Sequence, residues 1–151
     1  MLLLLGQSAA QPTNARVIRS TKKLFRYGDL VISRLRSYLK EIAIVRCSPS
    51  DLCVGSSEFV VLRPQSGECS VSLLMVYLRS PLVQTVLAWS QDGSNHPRFD
   101  EHDLLAIPLP DRVADIQPEI DRLIDESVKS RQATKAVFAK AISEVEKFVW
   151  G

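Results

Sequence analysis

The chain has 151 residues, of which 46% are hydrophobic and 24% charged, so it carries enough apolar surface for a folded core. This length suits one modest domain with an accessory element. The opening apolar run at 2–5 is too short to span a bilayer or to serve as a signal peptide, and no later run reaches membrane length. Three cysteines without framework spacing are typical of reduced thiols, so we expect a cytoplasmic protein.

The charges of the chain are unevenly distributed, although its formal net charge is only +2. Residues 16–46 hold nine basic and two acidic side chains, whereas 47–110 hold three and seven, and 111–151 hold seven and eight. A basic segment such as 16–46 is expected in a protein that binds a polyanion such as nucleic acid. It is equally expected if the lysines and arginines are simply solvated at the surface.

The first half of the chain is predicted to be rich in strands. Short apolar runs with many β-branched residues occur at 30–32, 41–45 and 58–62, each bounded by turn-type residues. Residues 1–15, which include Pro12, have no such pattern and are predicted to be an irregular tail.

Helical spacing begins at Ser72 and continues to Arg79. Ser80 and Pro81 then favour a new helix reaching about Trp89, because serine is a good N-cap and proline fits the first helical position. Residues 90–97 form a predicted loop, and 103–110 are a short apolar segment closed by prolines.

The last forty residues predict one long helix from about Val113 to Val149, on the order of 55 Å in length. Pro118 is compatible with its first turn, where backbone N–H groups have no intrahelical partner. A stripe of this length needs another helix alongside, in the same chain or another, and the alternative is a helix folded back on its own domain. The predicted partner-facing residues are Ile116, Ile120, Leu123, Ile124, Val137, Phe138, Ala141, Val145 and Phe148.

Three ordered segments of the sequence resemble the DNA specificity subunits of type I restriction–modification systems. The segments are GDLVISRLRSYL with IAIV (28–39 and 42–45), SSEFVVLRP with YLRSPLVQ (56–64 and 77–84), and GSNHPRF with DLL and IPLP (93–99, 103–105 and 107–110). No single segment is decisive for this family, but the three segments in this order, followed by a long helix, are much more specific. The resemblance covers about residues 24–150.

The resemblance implies an α+β fold, in which a β-rich target-recognition domain with two short helices precedes a conserved spacer helix that pairs with another helix. It implies double-stranded DNA as the ligand, a homodimer through the helix, and methyltransferase subunits as partners, which a restriction subunit can join. It implies no cofactor, metal or catalytic residue in this chain. In the family the Gly-Asp strand lies further into the domain, so we expect an N-terminally truncated recognition domain at 16–110 and a spacer helix at 111–151.

The predicted DNA contacts lie in two segments. Arg34 and Arg36 are two positions apart, so on a strand their forked guanidinium groups share a face, with Leu35 turned inward. The alternative is an exposed sheet edge protected by charge. The full set of predicted DNA-binding residues is Ser33, Arg34, Arg36, Tyr38, Lys40, Asn95, His96 and Arg98.

Several residues have an open or structural interpretation. In the second segment, Asn95 and Arg98 could instead tie the loop to the long helix. Glu58 is predicted to receive an arginine in an ion pair, and Trp89 and Trp150 are predicted to be packing residues.

Two other classes of function are alternatives to DNA recognition. Catalysis is disfavoured because the cysteines and histidines have no metal-ligand spacing, and because no nucleophile elbow, P-loop or dinucleotide motif occurs. The second alternative is a truncated assembly or dimerisation module with no DNA affinity of its own.

Overall fold

The structure is a computed structural model that describes residues 2–4, 22–48, 50–64 and 69–150. Its strands are β1 (Leu2–Leu4), β2 (Lys22–Phe25), β3 (Leu30–Ser33), β4 (Ile42–Ile44), β5 (Cys53–Ser56), β6 (Phe59–Pro64), β7 (Gln91–Asp92) and β8 (Arg98–Phe99). Its helices are α1 (Val71–Arg79), α2 (Pro81–Trp89), α3 (Glu101–Ala106) and α4 (Gln117–Trp150), with 3₁₀ turns at Ser37–Leu39 and Asp111–Ile116. The predicted α+β class is confirmed.

The centre of the fold is an antiparallel four-stranded sheet in the order β1-β6-β3-β4. The other two pairs, β2 with β5 and β7 with β8, form separate two-stranded ribbons. The predicted strands at 30–32, 41–45 and 58–62 correspond to β3, β4 and β6.

The N-terminal prediction is wrong for Leu2–Leu4, which forms a strand against β6. The partner of this strand lies about sixty residues away, so composition could not reveal the pairing. The remainder of the predicted tail, and the basic stretch before Lys22, lie outside the described residues.

Alternating side chains of the central sheet enter two separate apolar clusters. Leu30 and Ile32 face α1, α2 and α3, whereas Val31 between them faces the β2–β5 ribbon. Strand β6 repeats this alternation, because Val60 and Leu62 join the first cluster and Val61 joins the second. This period of two is what a strand imposes on a sheet covered on both faces.

The turn into β3 is held by a buried ion pair. Asp29 is 2% exposed, and its carboxylate accepts hydrogen bonds from Arg63 Nε and Nη2 at 2.5 and 2.6 Å. The backbone N–H of Arg26 donates to the same carboxylate at 2.8 Å. Gly28 supplies the positive φ of 85° that this turn requires. The Gly-Asp pair therefore has a structural role here.

Serine caps begin the two short helices, and the cap of α2 was predicted from the sequence. Ser70 Oγ accepts from the backbone N–H of Leu73 at the start of α1, and Ser80 Oγ accepts from Val83 at the start of α2. Among the described residues, no single helix is both long and apolar enough to cross a membrane; α1 and α2 together have the length and composition, but they meet at a bend of 64°.

Within residues 2–4, 22–48, 50–64 and 69–150, helix α4 contacts the rest of the chain only near its start. Ser70 donates from its backbone N–H to Gln117 Oε1 at 2.7 Å and from its hydroxyl to Asp121 Oδ1 at 2.5 Å. From Glu126 onward every residue of α4 is exposed except the half-buried Ser143. With respect to the part of the chain that the structure describes, the alternative of a helix folded back on its own domain is therefore wrong, and about 35 Å of helix beyond Ser127 is exposed along its length.

The two tryptophans are not packed within this chain. Trp89 and Trp150 are 82% and 85% exposed, so their prediction as packing residues is wrong for the isolated chain. The three cysteines are free thiols.

Candidate nucleic-acid interface

One end of the central sheet gathers most of the predicted DNA-binding residues. They come from the segment after β3 and from the β7–β8 ribbon, which are distant in sequence. Three backbone hydrogen bonds join these segments to each other and to the turn before β6: Arg36 N–H donates to the Pro97 carbonyl at 2.9 Å, Phe99 N–H to the Arg34 carbonyl at 3.3 Å, and Arg34 N–H to the Glu58 carbonyl at 3.0 Å. The fold thus brings both predicted segments to one surface.

The predicted common face of Arg34 and Arg36 is wrong. Strand β3 ends at Ser33, Leu35 makes an isolated antiparallel bridge with Arg98, and Arg36 has a left-handed backbone with φ of 53°. The left-handed residue turns the chain away from the strand, so the two-residue alternation of an extended chain no longer applies.

Two predicted DNA contacts are instead tied to carboxylates of the same chain. Arg98 donates from Nε and Nη2 to the two oxygens of Glu58 at 2.9 and 2.8 Å, which confirms that Glu58 receives an arginine. Arg34 Nη2 lies 3.8 Å from Glu58 Oε2, and its Nη1 lies 3.7 Å from Glu101 Oε1. Arg98 is joined through Glu58 to the turn before β6, so the suggested tie between the loop and the long helix does not hold for this residue.

The remaining predicted residues divide by exposure. Ser33 is buried, and its hydroxyl donates to the Leu35 carbonyl at 3.3 Å, so it does not reach the surface. Tyr38 is 62% exposed, Lys40 is fully on the surface, and Arg36 is half-buried. Asn95 and His96 are exposed at the tip of the β7–β8 ribbon.

Arg36 and Lys40 are the cations best placed for an external anion. Among the described residues, no carboxylate lies within ion-pair distance of either side chain. Both have a left-handed backbone, with φ of 53° and 51°, and they flank the 3₁₀ turn that carries Tyr38. Two cations and a phenol are therefore presented on one short, bent segment.

The Glu58–Arg98 pair has a clear electrostatic signature. The hydrogen bonds from Arg98 hold the pKa of the Glu58 carboxyl below its usual range, although partial burial opposes that shift. The charge of Arg34 acts in the same direction. A carboxylate stabilised in this way holds the segment after β3 and the β7–β8 ribbon together.

We expect Glu58→Gln to remove an acid-sensitive part of the stability. Because the pKa of Glu58 is lower in the folded chain than its ordinary value of 4.5, its stabilising effect is present above pH 4.5 and is lost as the pH falls through the lowered pKa. Urea unfolding at neutral pH and near pH 3 measures this, and the deficit of the variant should shrink on acidification. A matched control is the exposed Glu146→Gln, and an equal deficit at both pH values would contradict the assignment.

Sequence reasoning missed one contact of this surface and one elsewhere in the domain. Glu101, at the start of α3, also pairs with Lys23 Nζ at 3.7 Å, which links the β2–β5 ribbon to the site. Away from this end of the sheet, Arg46 Nη1 donates to the Tyr27 hydroxyl at 3.1 Å, and its guanidinium lies 5.7 Å from the ring centroid. These partners are far apart in sequence, so no local pattern could have revealed them.

Among the described residues, no group of three or more histidine, cysteine, aspartate or glutamate side chains is arranged to hold a metal ion. Comparison with known proteins found no family model and no curated protein that matches this sequence. The candidate interface rests on the geometry of this chain alone: Arg34 and Arg98 are held in ion pairs, and Arg36, Tyr38 and Lys40 lie on the neighbouring segment around the 3₁₀ turn.

Proposed function

We propose that this chain is the sequence-specific DNA-binding component of a type I restriction–modification complex and performs no chemistry itself. Methylation and cleavage would belong to partner subunits in the cytoplasm, namely methyltransferase subunits and a restriction subunit. The observation that carries the proposal is the convergence of two segments, both part of the family resemblance, into one surface with unpaired cations.

Physical chemistry supports DNA as the ligand of this surface. Arg36 and Lys40 can neutralise phosphates, which fixes position on the duplex, while Tyr38 and Asn95 supply the neutral donors and acceptors that base edges need. The bidentate hydrogen bonds between Arg98 and Glu58 hold the loops that carry these groups, so less order has to be gained on binding.

The binding test is a salt titration. We expect the purified chain to bind labelled duplex DNA at low salt, with affinity falling steeply as salt is added; for about four neutralised phosphates the log–log slope is about −3.6. Selection from a random duplex pool then tests specificity, and we expect one enriched motif. Binding without enrichment would reduce the proposal to non-specific DNA binding.

A second candidate function is an assembly module without DNA affinity. The observation that favours it is the long exposed stripe of α4, whose exposed residues include Val137 at 70%, Phe138 at 67% and Phe148 at 92%. Such a stripe fits the predicted pairing with another helix, either in a homodimer or with a methyltransferase subunit. If the chain does not bind DNA at low salt, the assembly function replaces DNA recognition as the proposal.

A further inference from the structure

Two of the three cysteines occupy one small part of the fold. Cys47 follows β4, and Cys53 is the first residue of β5, where it lies opposite Phe25 in the β2–β5 ribbon. Both side chains are half-buried and pack against the smaller apolar cluster, the one that contains Val31. The third cysteine, Cys69, packs against the larger cluster instead. The fold thus brings Cys47 and Cys53 together and keeps Cys69 apart from them.

The chain reverses direction between the two cysteines. The backbone N–H of Asp51 donates to the Ser48 carbonyl at 2.9 Å, which is the hydrogen bond of a β-turn. The hydroxyl oxygens of Ser48 and Ser50 lie 2.7 Å apart in the same segment. Because the turn brings the chain back on itself, the side chains on either side of it reach the same apolar cluster.

The two thiols are in contact with each other. Burial raises the pKa of the Cys53 thiol, and a hydrogen bond with Cys47 raises it further. The negative charges of Asp29 and Asp51 act in the same direction. Cys53 is therefore a protonated thiol at neutral pH, next to the sulfur of Cys47. Two sulfurs in such contact, on a backbone that already turns between them, meet the first requirement of a disulfide.

We propose that Cys47 and Cys53 form a dithiol modification site, which a low-molecular-weight disulfide such as oxidised glutathione converts into an intrachain disulfide. The thiolate of Cys47 first attacks one sulfur of the oxidant, whose S–S bond breaks and releases one glutathione thiol. Cys53 then loses its proton to solvent and attacks the Cys47 sulfur, which releases the second glutathione thiol. The two cysteines together give up two electrons and two protons, and the oxidant becomes two thiols.

The new bond would join the β2–β5 ribbon to the central sheet. Strand β5 belongs to the ribbon, whereas Cys47 continues the chain after the edge strand β4. The segment before Cys47 is already anchored, because Gly28 N–H donates to the Val45 carbonyl at 2.9 Å and Val45 N–H donates to the Asp29 carbonyl at 2.8 Å. Oxidation therefore fastens the ribbon to the turn into β3. The site is separate from the proposed DNA surface and does not depend on DNA binding.

Oxidation of the reduced, full-length chain with oxidised glutathione tests the site. The remaining thiols are alkylated, and a combined digestion before aspartate and after glutamate places each cysteine on its own peptide. This separation is possible because Asp51 lies between the first two cysteines and Glu68 lies between the second and the third. We expect mass spectrometry without reductant to find peptide 42–50 linked to peptide 51–58, with Cys69 alkylated.

The equilibrium with glutathione measures whether the fold favours this bond. The same oxidation is followed in native buffer and in urea that unfolds the chain, where any two cysteines can pair. Because the fold already holds the two sulfurs together, we expect the equilibrium constant for the bond between Cys47 and Cys53 to be about tenfold or more higher in the folded chain. This comparison uses the wild-type chain alone, so it does not depend on the folding of a variant.

The matched control is Cys69→Ser, which removes a half-buried thiol from the other cluster and should keep the linked peptides. In Cys53→Ser, we expect Cys47 to stop at the mixed disulfide with glutathione. An equilibrium constant no higher in the folded chain than in urea would overturn the proposal. A native disulfide that includes Cys69, or one that joins two copies of the chain in place of the intrachain bond, would overturn it as well.

Discussion

Replacing Arg63 by alanine is expected to lower the free energy of unfolding by about 3–5 kcal/mol. The change leaves the Asp29 carboxylate buried, with the backbone N–H of Arg26 as its remaining donor. A buried charge without its counter-ion is among the most costly defects that a single substitution makes, and domains of this kind have only about 5–15 kcal/mol to lose. Denaturant unfolding measures the effect.

Two further variants distinguish the buried ion pair from a general loss of packing. Replacing both partners, as in Asp29→Asn/Arg63→Met, removes the unpaired charge and is expected to recover much of the stability. Arg122→Ala removes an arginine whose ion pairs on α4 are exposed, and should change the unfolding midpoint little. A loss below about 1 kcal/mol for Arg63→Ala would contradict the role given to the pair.

Replacing Arg36 and Lys40 together by glutamine is expected to give the largest loss of DNA binding. Each lost phosphate contact should reduce the steepness of the log–log salt dependence by about one, so the double variant should lie near −1.8 where wild type lies near −3.6. Glutamine keeps much of the side-chain length and removes the charge. The left-handed backbone of both positions is left as it is.

The control for this pair is Lys129→Gln/Lys140→Gln, which removes two positive charges from the exposed outer part of α4. It should leave the salt slope unchanged, because those side chains lie away from the proposed interface. Arg34→Gln provides a second comparison. Because Arg34 pairs with Glu58 and Glu101, we expect this variant to lower the free energy of unfolding and to leave the salt slope of DNA binding nearly unchanged. An unchanged slope in the Arg36 and Lys40 variant would contradict the proposed contact surface.

The elements governed by local sequence were predictable. The strands that became β3, β4 and β6 follow from short runs of β-branched residues, and the break between α1 and α2 follows from Ser80 and Pro81. The long helix was also identified, although it begins with a 3₁₀ turn and is regular only from Gln117. In each case the signal lies within a few residues of the element that it specifies.

The arrangement of the candidate site depends on contacts between distant segments, and the sequence could reveal it only in part. Arg34 and Arg36 had the spacing of a shared strand face, but β3 ends at Ser33 and the left-handed backbone of Arg36 turns the chain after Leu35. The pairing of Glu58 with an arginine was predictable, because a carboxylate within a strand segment is stabilised by a nearby cation. The identity of that arginine, Arg98, was settled by the fold.

The isolation of the outer part of α4 has a consequence for how this chain behaves before assembly. Beyond Ser127 the helix has its own backbone hydrogen bonds and almost no tertiary contact with the described residues, so its amides can open without disturbing the sheet. Deuterium uptake along this segment should therefore be fast while the sheet remains protected. Slow exchange in this segment would therefore show that a partner protein is bound to it.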